Sequence, residues 1–472
     1  MVLLLEWLFY FYFLVIGKLW YEFQRFVRLS KRLDKLIPEI MMKKSDLKGK
    51  VLLQGGKVVN PSSDSIQKQD ILLDDGKIAL VEQEIEEEKA DKVIELTDRV
   101  IAPGFIDIHT HLREPGQEDS ETIRSGAQAA LAGGFTQICC MPNTIPPIST
   151  EGDVLFVKNK AQNLEVKVHP VASITKGRAG KELSEFSELV EAGAVAFSDD
   201  GSPVESSQIM RNALEYSKIV DRPIVNHSVD QDLKNGGIIN EGKVSAQTGL
   251  NGNPPIAEEI MVQRDLKIAE FTDAKLHIPH VTTKGAVELI RQAKERGVKV
   301  SAEATPHHLS LTEEYLKTFD TRGKVAPPLR EEKDQQALIQ GLKDGTIDVI
   351  ATDHAPHTYN KKETTLDLAA YGMIGMESAF GLMMDNLVNK NELSILELVK
   401  KFTINPAQIM ELDICRFQPG EKAEFTIFDE NEWWVFNEES VYSKSKNTPF
   451  FGTEMTGRVK KVIIGDRVIE IY

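Results

Sequence analysis

The chain has 472 residues, a formal net charge of −16, three cysteines and ten histidines. That length holds a full α/β barrel with a smaller companion domain. The charge, with no basic stripe in the body of the chain, excludes nucleic acid as a partner, and three cysteines, two of them adjacent (Cys139 and Cys140), exclude a disulfide framework and fit a reducing compartment.

Val2 to Ile16 is almost wholly apolar, interrupted by Glu6. It is short for a bilayer span, which needs roughly 20 residues. It also lacks the basic start and small-residue cleavage site of a signal peptide. Lys18 to Lys35 is basic, with Trp20, Phe23, Phe26 and Leu29 interleaved, as in an amphipathic helix on a membrane surface. Residues 1–45 therefore read either as a membrane anchor or as the product of a start codon placed too early, with the start at Met41 or Met42. The second reading is preferred, and both leave the catalytic body in the cytoplasm.

From Val51 to Leu96 short strands alternate with turns, and Gly55-Gly56 and Asp75-Gly76 are hairpin signals. Similar strands return near the C-terminus, with a turn at Gly465-Asp466. Residues 46–102 and 410–472 are thus expected to form one small β-sandwich domain from both chain ends. Between them, residues 103–409 alternate apolar strands with helical patterns. The eight strands are GFIDIHTHL, FTQICCMPN, KVHPVASIT, AVAFSDD, PIVNHSV, KLHIPHVT, KVSAEATPHH and DVIATDHAPH. Helices are expected at 120–132, 181–192, 206–220, 255–271, 284–296 and 331–342. Eight such units predict a (β/α)8 TIM barrel. An open doubly wound sheet is disfavoured, because no Gly-rich dinucleotide turn follows the first strand.

In a barrel of this kind chemistry gathers where the strands end. The first strand runs into Asp107, His109, His111 and Arg113, which alternation places on one face, with the two histidines about 6.6 Å apart. Later strand ends carry Asn143, Asp199 and Asp200, His227, His280, His307 and His308, and finally Asp353, His354 and His357. One such residue is unremarkable in a folded protein; polar groups at nearly every strand end are not. All ten histidines lie between His109 and His357. Imidazoles and carboxylates without thiolates suit zinc, with manganese or iron as alternatives. Four histidines and two aspartates exceed what one catalytic zinc accepts and suit two ions bridged by a carboxylate and a hydroxide. A carboxylate ending the eighth strand can take the nucleophile's proton and pass it to a leaving nitrogen. Arg113 can fork onto an anionic group. The pattern predicts metal-dependent hydrolysis of an amide-like bond in a small anionic molecule.

Taken together, DIHTHLREPG, GGFTQICCMPNT, FSDDG, EATPHHLSL, APPLR, IATDHAPH and NTPFFG resemble the bacterial dihydroorotases of the amidohydrolase superfamily, from about Val51 to the C-terminus. The resemblance implies two zinc ions per subunit, one on His109 and His111, the other on His227 and His280, with Asp353 as both ligand and general acid/base. The fourth strand ends in SDDG without the lysine that many superfamily members carbamylate. That implies an aspartate bridge at Asp200, or failing that Asp199. Arg113, Asn143 and His357 match residues that bind the substrate, dihydroorotate or N-carbamoyl-aspartate. A homodimer and association with aspartate transcarbamoylase are also implied. One departure is Ala326, where many relatives carry an asparagine before PPLR that contacts the substrate; losing that amide costs about 1 kcal/mol. The alternatives are another cyclic amidohydrolase, an allantoinase or hydantoinase, and a noncatalytic homologue that scaffolds a transcarbamoylase.

Overall fold

The computed structural model describes residues 42–471, so residues 1–41 of the N-terminal extension read as an anchor or early start lie outside it, while 42–45, placed in that extension, form part of a strand of the second sheet. Eight parallel strands follow one another around a barrel: β1 (Phe105–Thr110), β2 (Phe135–Cys140), β3 (Lys167–Ala172), β4 (Ala196–Ser198), β5 (Ile224–Val225), β6 (Leu276–Ile278), β7 (Val300–Ala304) and β8 (Val349–Ile350). Their order in the sheet is their order in the chain, as the predicted barrel requires. The seam between β8 and β1 is closed by a parallel bridge from Thr110 to His354 and a hydrogen bond from His111 N to His354 O at 2.9 Å. Asp107 fastens the same seam. Its carboxylate accepts from Thr352 N at 3.1 Å and Thr352 Oγ1 at 2.5 Å, and burial pushes its pKa up to about 6.

Ile106, Ile108, Val171, Val225 and Val349 form one buried cluster with Met410 of the helix Ile404–Met410, so strands on opposite sides of the barrel share a packed interior. On its outer side Phe105 lies 5.5 Å from Phe402 and 6.3 Å from Phe428. Phe428 belongs to the second sheet, and each aromatic pair adds about 0.5–1.5 kcal/mol beyond its burial. The outer helices include Ser207–Val220, Ile256–Thr272, Lys284–Glu295 and Glu332–Asp344, within a few residues of expectation. The unit after β2 supplies the helix Glu151–Ala161: Val154, Val157 and Ala161 form its buried stripe among charged residues, and Thr150 and Asp153 cap it reciprocally.

The second sheet draws on both ends of the described chain. Met42–Asp46 pairs antiparallel with Arg467–Ile471, and the sheet runs on through Glu454–Ile464, Glu424–Val435 and Val100–Pro103 to Lys50–Asn60, Ser65–Asp74 and Lys77–Glu82. Asp75-Gly76 and Gly465-Asp466 form the expected hairpin turns, with Asp75 at φ 45° and Gly76 at φ 76°. Gly55-Gly56 does not. It lies inside the strand Lys50–Asn60, where the register shifts between Leu53 and Gly56. Gly55 is left-handed at φ 78°, and a Cβ on Gly56 would come within 2.5 Å of Ile101, so these glycines make a bulge rather than a turn. Among the described residues no helix is long and apolar enough to cross a membrane.

Candidate active site

β1 delivers His109 at its end and His111 just beyond it; β5 delivers His227 two residues past Val225, and β6 delivers His280 two residues past Ile278. Asp200 follows β4 and Asp353 follows β8, and all six side chains are buried. The Asp200 carboxylate lies among the four imidazoles. Its Oδ1 is 3.3 Å from His227 Nδ1, 3.4 Å from His280 Nε2 and 3.7 Å from His109 Nε2, and its Oδ2 is 3.5 Å from His111 Nε2. His109, His111 and Asp200 make one group able to hold a cation and Asp200, His227 and His280 another, with Asp200 common to both. Asp353 Oδ1 joins the first, 2.9 Å from His111 Nε2 and 3.7 Å from His109 Nε2.

The neighbouring Asp199 faces elsewhere. Its carboxylate accepts from Thr175 N and Oγ1, and its carbonyl accepts from Arg178.

The partners behind the histidines set their tautomers. His109 Nδ1 lies 2.5 Å from Glu303 Oε1, and His111 Nδ1 lies 2.8 Å from the Asn143 side-chain carbonyl. Both partners accept, so Nδ1 carries a proton in each ring and Nε2 faces the centre. The result fits a cation. His109 Nε2 and Asp200 Oδ1 are buried without a hydrogen-bond partner, and the His111 lone pair faces a carboxylate oxygen at 2.9 Å. His227 Nδ1 and His280 Nε2 converge at 2.9 Å. Such a set of nitrogens and oxygens is the donor set of a divalent metal and an uncomfortable arrangement without one.

The electrostatics agree. Burial would raise Asp200, yet the charge of His109 and the close imidazoles of His109, His227 and His280 hold it well below the usual carboxylate range. Burial likewise works against Asp353, and His111 and His109 bring it below that range. Glu303 falls to about 2 against its burial, through His109 and His277. His109 is raised well above its ordinary value: burial opposes the proton, but the charges of Glu303 and Asp200 win. Three ionised carboxylates thus share one dry volume and favour a positive charge among them.

Arg113 does not reach the site by strand alternation as expected. β1 stops at Thr110, and Arg113 turns in through a left-handed backbone at φ 62°; His280 and Asp353 are also left-handed, at 33° and 47°. Three such non-glycine residues in one site mark backbone held under strain by its surroundings. The Arg113 guanidinium is buried, donates from Nε to Pro356 O at 3.1 Å, and makes no carboxylate ion pair among the described residues. Burial lowers it to about 10, so it stays charged at neutral pH. His357 lies beside it, with Nε2 3.3 Å from Arg113 Nη2 and 2.7 Å from Tyr371 O. Asn143, expected at the substrate, has its carbonyl on His111.

The remaining histidines stay out of the centre. His277 bonds Glu303 Oε2 at 2.9 Å, His354 accepts from Gly375 N, His169 pairs with Gln137, and His308 donates to Pro327 O. His307 Nε2 is buried without a partner. Sequence reading gave Glu303 no role, although it orients His109 and His277 together. Its one signal was an acidic residue in the middle of the strand KVSAEATPHH, where burial demands a partner.

The sequence profile of the "Dihydro-orotase-like" family matches residues 98–286. Over 422 residues the chain is 45% identical to a dihydroorotase of Syntrophus aciditrophicus, covering 89% of this chain and 99% of that protein. A dihydroorotase of Acetivibrio thermocellus is 46% identical over 420 residues, covering 89% and 98%. The chain belongs to the dihydroorotase family. Among solved structures, the L-hydantoinase of Arthrobacter aurescens superposes with a TM-score of 0.79 at 26% identity, covering 89% of this chain and 95% of that one. A dihydropyrimidinase from Brevibacillus agri superposes at 0.77 with 22% identity, a likeness of fold. Within the dihydroorotase family the overlap with both curated relatives is nearly end to end, so the barrel and the second sheet belong to the shared protein.

Proposed function

We propose that this chain is a dihydroorotase, interconverting L-dihydroorotate and N-carbamoyl-L-aspartate in pyrimidine biosynthesis. The observation that carries the reading is Asp200, one buried carboxylate shared by two pairs of histidines in a chain of this family. His109 and His111 with Asp353 would hold one zinc, His227 and His280 the other, and Asp200 would touch both. Zinc bound there supplies Lewis acidity, making water a better nucleophile at neutral pH and polarising a carbonyl oxygen.

The chain's own groups do the rest. Hydrolysis adds water across the ring amide: oxygen joins the carbonyl carbon, the carbon–nitrogen bond breaks, and the ring nitrogen gains a proton. Asp353, ionised well below neutral pH, takes the proton from the attacking water and hands it to that nitrogen. Running backwards, the same residue closes the ring. Arg113, buried, charged and without a carboxylate partner among the described residues, holds the substrate carboxylate, and His357 contacts the ring beside it. Glu303 and Asn143 keep the two β1 histidines turned to the centre. Ring opening creates a new carboxyl group that ionises, so each unit of rising pH favours the open form about tenfold. Homodimerisation, contact with an aspartate transcarbamoylase and a reducing, cytosolic setting for the three free cysteines belong to the same reading.

The test is turnover by the purified, zinc-supplied chain of L-dihydroorotate, hydantoin and allantoin side by side. The expected result is that dihydroorotate is opened and the other two are poor substrates. Preference for hydantoin or allantoin would move the enzyme to another cyclic amidohydrolase. Bound zinc with no turnover of any of the three would favour the scaffolding homologue.

A further inference from the structure

The loop from Thr358 to Gly375, between β8 and the helix Met376–Met383, is held by two lysines that have no carboxylate partner among the described residues. Lys324 is 1% exposed and Lys362 3% exposed. Lys362 Nζ donates to Ala370 O at 2.8 Å, Gly372 O at 3.0 Å and Lys324 O at 3.4 Å, so its three N–H groups meet three main-chain carbonyls. Lys324 Nζ donates to Asp367 O at 2.9 Å and sits 4.3 Å from the centre of the Tyr371 ring. The main chain adds its own bonds between the loops after β7 and β8, from Gly372 N to Lys324 O at 2.9 Å and from Thr321 Oγ1 to Lys362 O at 2.6 Å.

Buried ammonium groups weigh against stability unless ion-paired, and an apolar side chain of the same size is commonly tolerated as well or better. Stability alone therefore does not account for two of them side by side. Their bonds end at Tyr371-Gly372, and the Tyr371 carbonyl is the acceptor that fixes the His357 ring, 2.7 Å from Nε2. With Nε2 donating, His357 Nδ1 presents a lone pair, and it is buried without a partner. Asn447 braces the same corner, accepting from His357 N at 3.0 Å and donating to Gly372 O at 3.1 Å.

We propose that Lys324 and Lys362 are positioning residues for substrate binding: they lock the Tyr371 carbonyl in place, and through it the orientation of His357 beside Arg113. The proposal rests on the dihydroorotase reading. It concerns affinity rather than chemistry, because the lysines' bonds go to main-chain carbonyls and the Tyr371 ring and to none of Asp353 and the four ligand histidines.

The experiment measures KM, kcat and bound zinc for the full chain and for Lys362→Met, Lys362→Arg and Lys324→Met. Absence of dihydroorotate turnover in the unaltered chain would count against the function and is read separately from the variants. Lys362→Met is expected to raise KM about tenfold or more while kcat changes by less than about threefold, the signature of lost binding. Zinc content stays as in the unaltered chain, and Lys362→Arg recovers part of the affinity because its guanidinium still donates to carbonyls. In a His357→Ala background Lys362→Met should change KM by less than about twofold, since the route through the ring is already gone. An unchanged KM, a joint fall in kcat and zinc, or effects that multiply in the double variant would overturn the proposal. Should Lys362→Met fail to fold, Lys324→Met carries the same expectation and the same contrary outcomes.

Discussion

Asp353→Asn is expected to fold, to keep its zinc on the four histidines and Asp200, and to lose roughly 10²- to 10⁴-fold in kcat, the contribution typical of a positioned general acid/base. The substitution keeps the side chain's shape and one oxygen, so packing at this buried position is preserved. An amide cannot take a proton from water, and that is the property removed. Its carbonyl oxygen can still face the metal side, where Asp353 Oδ1 lies 2.9 Å from His111 Nε2, so the position keeps one donor oxygen. Steady-state rates in both directions, with metal analysis on the same samples, check this. Hydrolysis and ring closure should fall together, because one residue serves both. Near-normal activity would remove Asp353 from the mechanism.

Asp200→Asn should act on the metals rather than on the proton. Asp200 places its carboxylate within 4 Å of ring nitrogens of all four histidines. Removing its charge weakens both sites at once, whereas His227→Ala or His111→Ala touches one group each. Bound zinc is expected to drop below one equivalent and turnover by at least about 10³-fold, because an open, correctly charged ligand set is what a catalytic metal site depends on. Unchanged zinc stoichiometry in Asp200→Asn would contradict the shared-carboxylate arrangement. The neighbouring Asp199→Asn offers a contrast, since that carboxylate is spent on Thr175.

The barrel was legible because its eight apolar strands and intervening helices follow simple periodicities, and because polar residues recur where those strands end. What escaped was decided by contacts between distant segments. Asp199 and Asp200 are adjacent and chemically identical; only the loop after β4 and the hydroxyl of Thr175 turn one away from the histidines. Arg113 was read as part of an extended face, but a left-handed residue after the strand delivers it instead. Gly55-Gly56 looks like a turn by composition and is a bulge because Ile101 packs against it. Glu303 looked like an ordinary strand residue until His109 and His277 closed on it. Lys324 and Lys362 are indistinguishable in sequence from solvent-exposed lysines, since burial of a long cationic side chain is a property of the loops around it.

The most direct measurement is a zinc titration of the metal-stripped chain, with bound metal and L-dihydroorotate turnover followed at each addition. The account predicts no turnover without metal, binding that saturates at two equivalents per chain, and activity that depends on filling the shared site. Full turnover by the stripped chain, or saturation at a single equivalent with full activity, would contradict it.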